Sequence, residues 1–224
     1  NLKPFMRILN IMKNNYICDC KHYDFSNKKF KYWEDRNVTA DEITIVKYIK
    51  NLNLSEDINI LHVGVGNSYV YEKLNKKYNL YGITISNREI NKSKSYNDNS
   101  YQVFFCDKMS KTLVQLFENK KFDIIIDNNL KSYSCCKVSF LYMFNNFVEL
   151  LNINGFIVTT RMGMNWVKTL KPSLSFNFSE FFHYKLKEHD GNQENIFTLD
   201  EAKLLSKKHS LELNFENEIV TFRK

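Results

Sequence analysis

From Ile58 onward the chain alternates short, bulky apolar runs with amphipathic stretches of helical period, and its last two runs stand too close together to hold a helix between them. Runs that are apolar on both sides of the pleat read as strands buried on two faces, which a parallel sheet covered by helices demands. The expected strands are Asn59 to Val63, Asn79 to Ile85, Tyr101 to Phe105, Phe122 to Ile126 and Gly155 to Thr160. The expected helices lie near Tyr69 to Lys77, Arg88 to Tyr96, Met109 to Glu118 and Phe140 to Leu151. After these comes a helix over Thr198 to Lys208, with Thr198 and Glu201 spaced as a capping box. The closing runs, Leu211 to Phe215 and Glu218 to Arg223, are therefore antiparallel and joined by a turn at Glu216 and Asn217. The fold class is α/β: a mostly parallel, seven-stranded sheet ending in an antiparallel hairpin, with helices on both faces.

Composition sets outer bounds. A chain of 224 residues, 43% of them apolar or aromatic, buries a sizeable core in one domain with room for a small cap. No apolar run reaches the roughly 18 residues that span a bilayer and nothing reads as a secretory signal, so a cytoplasmic protein is expected. The chain begins with Asn1 rather than Met, which leaves residues ahead of it an open matter. Five cysteines, at Cys18, Cys20, Cys106, Cys135 and Cys136, fit thiols in a reducing compartment. Cys18, Cys20 and His22 alternate on one short segment and cannot close a tetrahedron alone, so no metal is expected. The net charge of +7 is spread in ones and twos among acids, as on a solvated surface, and no nucleic-acid partner is expected.

The chemistry concentrates where the first strand meets its helix. In Ile60-Leu-His-Val-Gly-Val-Gly-Asn-Ser68, Gly64 and Gly66 let the backbone turn sharply and approach a ligand, while the next helix offers free amides. With the strand order and the terminal hairpin, this segment resembles the first motif of the class I S-adenosylmethionine-dependent methyltransferases, and the likeness covers most of Ile58 to Lys224. Two positions depart from that motif: His62 stands where the acid is usual, and Ser68 where a third glycine is usual. The resemblance implies a Rossmann-like methyltransferase fold and S-adenosyl-L-methionine as cofactor. The second strand ends Gly82-Ile-Thr-Ile-Ser86, with Glu89 five residues after Thr84; this is similar to the branch of cyclopropane-fatty-acid synthases, which carries Gln at that place.

The resemblance implies these roles. His62, Gly64, Gly66, Asn67 and Ser68 would form the cofactor loop; Thr84, Ile85 and Glu89 would hold the ribose; Asp107 and Lys108 would flank the adenine; Asp127 and Asn128 would stand beside the transferring methyl. Purely structural readings stand next to them: a packed histidine at 62, a capping box of Ser86 and Glu89, turn residues at Asp107 and Asp127. Methyl transfer is an in-line displacement that needs alignment and, for a hydroxyl acceptor, a base. Asp127, Tyr133 and His183 are the catalytic candidates, with His189 behind them. Tyr32, Trp33, Arg36, Arg161 and Trp166 are candidates for holding the acceptor, an arginine there clamping a carboxylate or phosphate.

Residues 1–57 are expected as a helical and aromatic cap with a helix near Ala40 to Asn51, residues 58–224 as the cofactor-binding domain, and residues 161–197 as a lid. Neither Pro4 nor Pro172 lies near Asp127, so the Asp/Asn-Pro-Pro-aromatic motif of amino methylation on nucleic acids is missing, and no Pro-Cys nucleophile exists. The expected acceptor is a small molecule, with O-methylation of a surface-glycan or secondary-metabolite precursor favoured. The rivals are a non-catalytic partner subunit and an RNA methyltransferase. The acceptor atom and the oligomeric state are not written in the sequence.

Overall fold

The computed structural model describes residues 16–18, 34–74, 78–118, 120–132, 134–164 and 196–224. In chain order the elements are α1 (Ala40–Asn51), β1 (Asn59–Val63), α2 (Tyr69–Leu74), β2 (Asn79–Thr84), α3 (Asn87–Ser95), β3 (Tyr101–Phe105) and α4 (Thr112–Leu116). They continue with β4 (Phe122–Asp127), α5 (Lys137–Leu150), β5 (Leu151–Thr160), α6 (Arg161–Met164), α7 (Leu199–Lys208), β6 (Glu212–Glu216) and β7 (Ile219–Arg223). The seven strands make one sheet in the order β3-β2-β1-β4-β5-β7-β6. All pairings from β3 to β5 are parallel, whereas β7 runs antiparallel to both β5 and β6.

Alternating side chains of each strand enter opposite cores, as the two-residue period of a strand requires. Leu61, Val63, Ile83, Ile125 and Ile157 join Phe140, Phe144 and Phe147 of α5 and Leu205 of α7 on one face. Ile60, Leu80, Ile124, Ile126 and Val158 join Ile45, Val46 and Ile49 of α1 and Val70 and Leu74 of α2 on the other. The helix of the N-terminal segment thus packs directly on the sheet. It is held at its start by Glu42, whose carboxylate accepts from Thr39 N at 2.9 Å and from Arg36 Nη2 at 2.8 Å. The box at the start of α7 forms as its spacing predicts, Thr198 and Glu201 satisfying each other's backbone amides.

Of the elements that differ from expectation, β5 does so for a non-local reason and α4 for a local one. β5 starts at Leu151 rather than Gly155, because Leu151 already pairs with Phe122 before the register shifts. Asn154 takes a φ of 67° at that irregularity, and a Cβ on Gly155 would stand 2.9 Å from the Phe122 carbonyl oxygen, so only glycine fits. The helix expected from Met109 contracts to Thr112–Leu116, because the Asp107 carboxylate accepts from Met109 N at 2.9 Å and turns the chain there. Among the described residues no helix is long and apolar enough to cross a membrane.

Candidate functional site

The sheet's strand order reverses between β1 and β4, with α2 leaving to one face and α5 to the other. Ligands of open α/β sheets bind in the crevice at the C-terminal strand ends of such a point. The turn after β1 opens there. Gly64 and Gly66 take φ values of +72° and +53°, and Gly64 N donates to Ile83 O at 2.8 Å, seating the turn on the end of β2. Ser68 also adopts a left-handed φ of 65°, the conformation that favours the glycine usual at this place. Its fully buried hydroxyl shares a 3.0 Å hydrogen bond with Tyr101 Oη, which helps to offset that strain. Asn67 is half-buried and structural in its contacts: its amide donates to Arg36 O at 3.0 Å and its oxygen accepts from Tyr69 N at 3.0 Å.

Glu89 is the centre of the arrangement. It projects from the first turn of α3 and is buried, yet its Oε2 accepts from Thr84 Oγ1 at 2.6 Å and from Gly66 N at 3.1 Å. One carboxylate therefore joins the turn after β1, the tip of β2 and the start of α3. Only half of a capping box survives here: Ser86 Oγ accepts from Glu89 N at 3.4 Å, while Ser86 N donates to Thr84 Oγ1 at 3.0 Å instead of to Glu89. Burial raises the carboxyl's pKa, against the hydrogen bonds from Thr84 and Gly66 and the charge of Arg36. Ile85 follows β2, half-buried beside this group.

His62, on β1, is fully buried and its imidazole is driven down to a pKa of about 3, chiefly by burial and then by Arg36. The ring is thus neutral, and its Nε2 has no hydrogen-bond partner; the same is true of Asn128 Oδ1, just past the neighbouring strand β4. Buried polar atoms without partners are uncommon and mark places where a ligand or water completes the bonding.

Asp127 is used differently. Its Oδ2 accepts from Lys108 Nζ at 2.8 Å and its Oδ1 from Asn129 N at 3.1 Å. The same ammonium donates to Asn129 O at 2.9 Å and Leu130 O at 3.1 Å, which takes up all three of its protons. Burial pushes the Asp127 pKa upward and Lys108 pulls against it. A carboxylate held this way is a poor acceptor for a substrate proton, and this ammonium has no donor left for a ligand. Asp127 and Lys108, both expected beside the cofactor, are partners of each other across 19 residues of sequence.

Asp107, at the end of β3, accepts from Tyr16 Oη at 2.8 Å through Oδ2 and from Met109 N through Oδ1. Tyr16 was not foreseen, because nothing local to it marks a contact 91 residues away. Arg36 lies close enough for its charge to act on His62 and Glu89, but its guanidinium pairs with Glu42. Arg161 starts α6 with its guanidinium 5.7 Å from the Phe215 ring centroid of β6. Tyr32, Trp33, Tyr133, Trp166, His183 and His189 lie outside the described residues.

This architecture is the Rossmann-like fold of the class I methyltransferases: a seven-stranded, mostly parallel sheet with a terminal antiparallel hairpin. Solved structures with the same arrangement include the CcbJ methyltransferase from Streptomyces caelestis, at a TM-score of 0.59 and 12% identity over 85% of this chain and 94% of that one. The N-methyltransferase NodS from Bradyrhizobium japonicum WM9, in complex with S-adenosyl-L-homocysteine, has a TM-score of 0.54 and 13% identity over 90% and 93% of the two chains. A S-adenosylmethionine-dependent methyltransferase from Methanosarcina mazei has a TM-score of 0.55 and 16% identity over 79% and 96%. No family model and no curated protein sequence matches the chain.

Proposed function

We propose that this protein is an S-adenosyl-L-methionine-dependent methyltransferase. The observation that carries the reading is Glu89, a buried carboxylate at the switch point that gathers Thr84 and the Gly66 amide at two strand ends. The donor set fits the cofactor. Glu89 and Thr84 are suited to ribose hydroxyls, the turn at Gly64 to Ser68 to close backbone approach, and Asp107 to an exocyclic amine in exchange for Tyr16. The unpartnered His62 Nε2 and Asn128 Oδ1 are suited to polar groups of the amino-acid moiety. A neutral imidazole can accept a hydrogen bond from an ammonium, which is the task of the acid in the usual motif. The branch similar to cyclopropane-fatty-acid synthases rests on the same Thr84 and Glu89 pair.

Bound there, the cofactor supplies an electrophilic methyl group. The chain's own contribution is alignment and exclusion of water. Phe197 N donates to Met164 O at 2.8 Å, which ties the approach to α7 to the end of α6. Residues 161–197 are the proposed cover of the crevice, and His183 and Tyr133 the proposed groups that orient or deprotonate the acceptor. Asp127 is assigned to holding Lys108. The acceptor we favour is a small molecule, methylated on oxygen, of the surface-glycan or secondary-metabolite precursor kind; Tyr32, Trp33, Arg36 and Trp166 are its proposed contacts.

Calorimetry tests the reading directly. Expected is micromolar binding of S-adenosylmethionine and S-adenosyl-L-homocysteine to the folded chain, lost in Gly66→Val because that position needs a left-handed backbone and a bare Cα. Absence of heat with either ligand, or an unchanged affinity in the variant, removes the assignment.

A further inference from the structure

The fold brings together three cysteines that no spacing in the sequence connects. Cys18 Sγ lies 3.3 Å from Cys135 Sγ, although 117 residues separate them, and Cys135 Sγ lies 3.9 Å from Cys136 Sγ. All three sulfurs stand within 4.8 Å of one another, with Cys135 buried and its two neighbours half-buried. We propose that Cys18, Cys135 and Cys136 form a binding site for one thiophilic d10 cation, Zn(II) or Cu(I). The inference is independent of the methyltransferase reading.

Three features support it. Metal–sulfur bonds of about 2.3 Å at tetrahedral angles place sulfurs about 3.8 Å apart, and the two measured separations flank that value. A disulfide would use two of the sulfurs and leave the third without a reason to converge. The site also sits at a helix N-terminus: Cys136 is the N-cap of the fourteen-residue α5, and its side chain makes no capping hydrogen bond. The dipole of that first turn favours negative charge on ligands placed there.

Outer contacts are in place as well. Ser139 Oγ accepts from the Cys135 thiol at 3.2 Å and donates to Cys136 O at 3.0 Å, fixing the loop that carries both sulfurs; with a cation bound, the hydroxyl can turn to donate to the Cys135 thiolate. Binding replaces the thiol protons by the cation, which releases them to solvent; no electron is transferred and no oxidant is needed. Three sulfurs complete a trigonal Cu(I) shell. With Zn(II) they leave a fourth position for water. In either case the ion ties the segment of Tyr16 to Cys18 to the loop before α5, two residues from the Tyr16 to Asp107 contact. Spacing rules missed the site because they register ligands on one segment, whereas this one spans two distant parts of the chain.

The test uses the full chain, prereduced and kept under anaerobic conditions. Co(II), as the spectroscopic stand-in for Zn(II), is titrated while thiolate charge-transfer absorption is followed; Cu(I) is titrated against a chromogenic chelator. One equivalent per chain is expected for at least one ion. Cys18→Ser should weaken that binding tenfold or more, and because residue 18 lies outside the sheet, the fold should persist by circular dichroism. Cys135→Ser and Cys136→Ser should weaken it comparably, and Cys106→Ser, outside the cluster, should not. No binding of either ion, or less than a tenfold loss in Cys18→Ser, overturns the site.

Discussion

Two buried carboxylates stand at the C-terminal ends of this sheet, one strand apart, and they are built in opposite ways. Asp127 at the tip of β4 has its own cation, Lys108, whose remaining protons are spent on backbone carbonyls. Glu89, reaching the tip of β2, has a hydroxyl and an amide as partners and no cation in hydrogen-bond contact among the described residues. Taking a charge out of water costs several kcal/mol unless it is compensated. At Asp127 the compensation is complete, which makes it a fixed strut. At Glu89 it is partial, which leaves a carboxyl with acceptor capacity. The lesson is that a carboxylate at a strand end is available for ligand chemistry only where the fold has not already satisfied it.

The largest effect should come from removing the strut's cation. Lys108→Met leaves Asp127 without its cation in a site where both side chains are nearly inaccessible, and the loss of a buried partner costs about 3–5 kcal/mol. Urea denaturation should show a drop of that size, largely recovered in Lys108→Met combined with Asp127→Leu. Equal destabilisation in the single and double variants would mean that the pair matters only through packing.

The next effect follows from His62. Its folded pKa of about 3 lies below the ordinary 6.5, so the folded chain binds fewer protons than the unfolded one between those values. Stability should therefore fall as pH falls from about 6.5 towards 3, with a contribution of about 1.4 kcal/mol per pH unit from this ring. His62→Gln keeps a polar side chain without the titration and should flatten that part of the curve. An unchanged slope would show that His62 is protonated in the fold.

Glu89→Gln sharpens the contrast from the other side. Burial raises the folded pKa of Glu89, so its favourable contribution is greatest below the ordinary carboxyl value of 4.5 and is lost as pH rises through the folded pKa. At neutral pH the variant should be at least as stable as the parent. Its affinity for S-adenosyl-L-homocysteine should fall about tenfold, the worth of one charge-assisted hydrogen bond of about 1.4 kcal/mol. A loss of stability together with an unchanged affinity would make Glu89 a second strut and abolish the comparison.

What the sequence disclosed follows the range of the interactions. β1, β3 and α1 were legible to the residue, and so was the Thr198 and Glu201 box, because periodicity and caps act within a few positions. The Thr84 and Glu89 pair was legible for the same reason, being five residues apart on one turn. Lys108 with Asp127, Tyr16 with Asp107 and Cys18 with Cys135 were not, since each pairing exists only after the sheet has assembled. The early start of β5 belongs with them, as it depends on Phe122 of another strand.

Ser68 offers the smallest and most discriminating measurement. The turn demands a left-handed backbone at 68, which costs a side-chain-bearing residue roughly 1–2 kcal/mol, and Ser68 recovers part of this through Tyr101. Ser68→Ala keeps the strain and loses the hydrogen bond, leaving the Tyr101 hydroxyl without that partner, and should cost about 1–3 kcal/mol. Ser68→Gly loses the same bond but relieves the strain, so it should be less destabilising than alanine by about 1 kcal/mol. If the two variants are equally stable in denaturant melts, the backbone at 68 is not held left-handed, and the serine at the usual glycine place has cost the turn nothing.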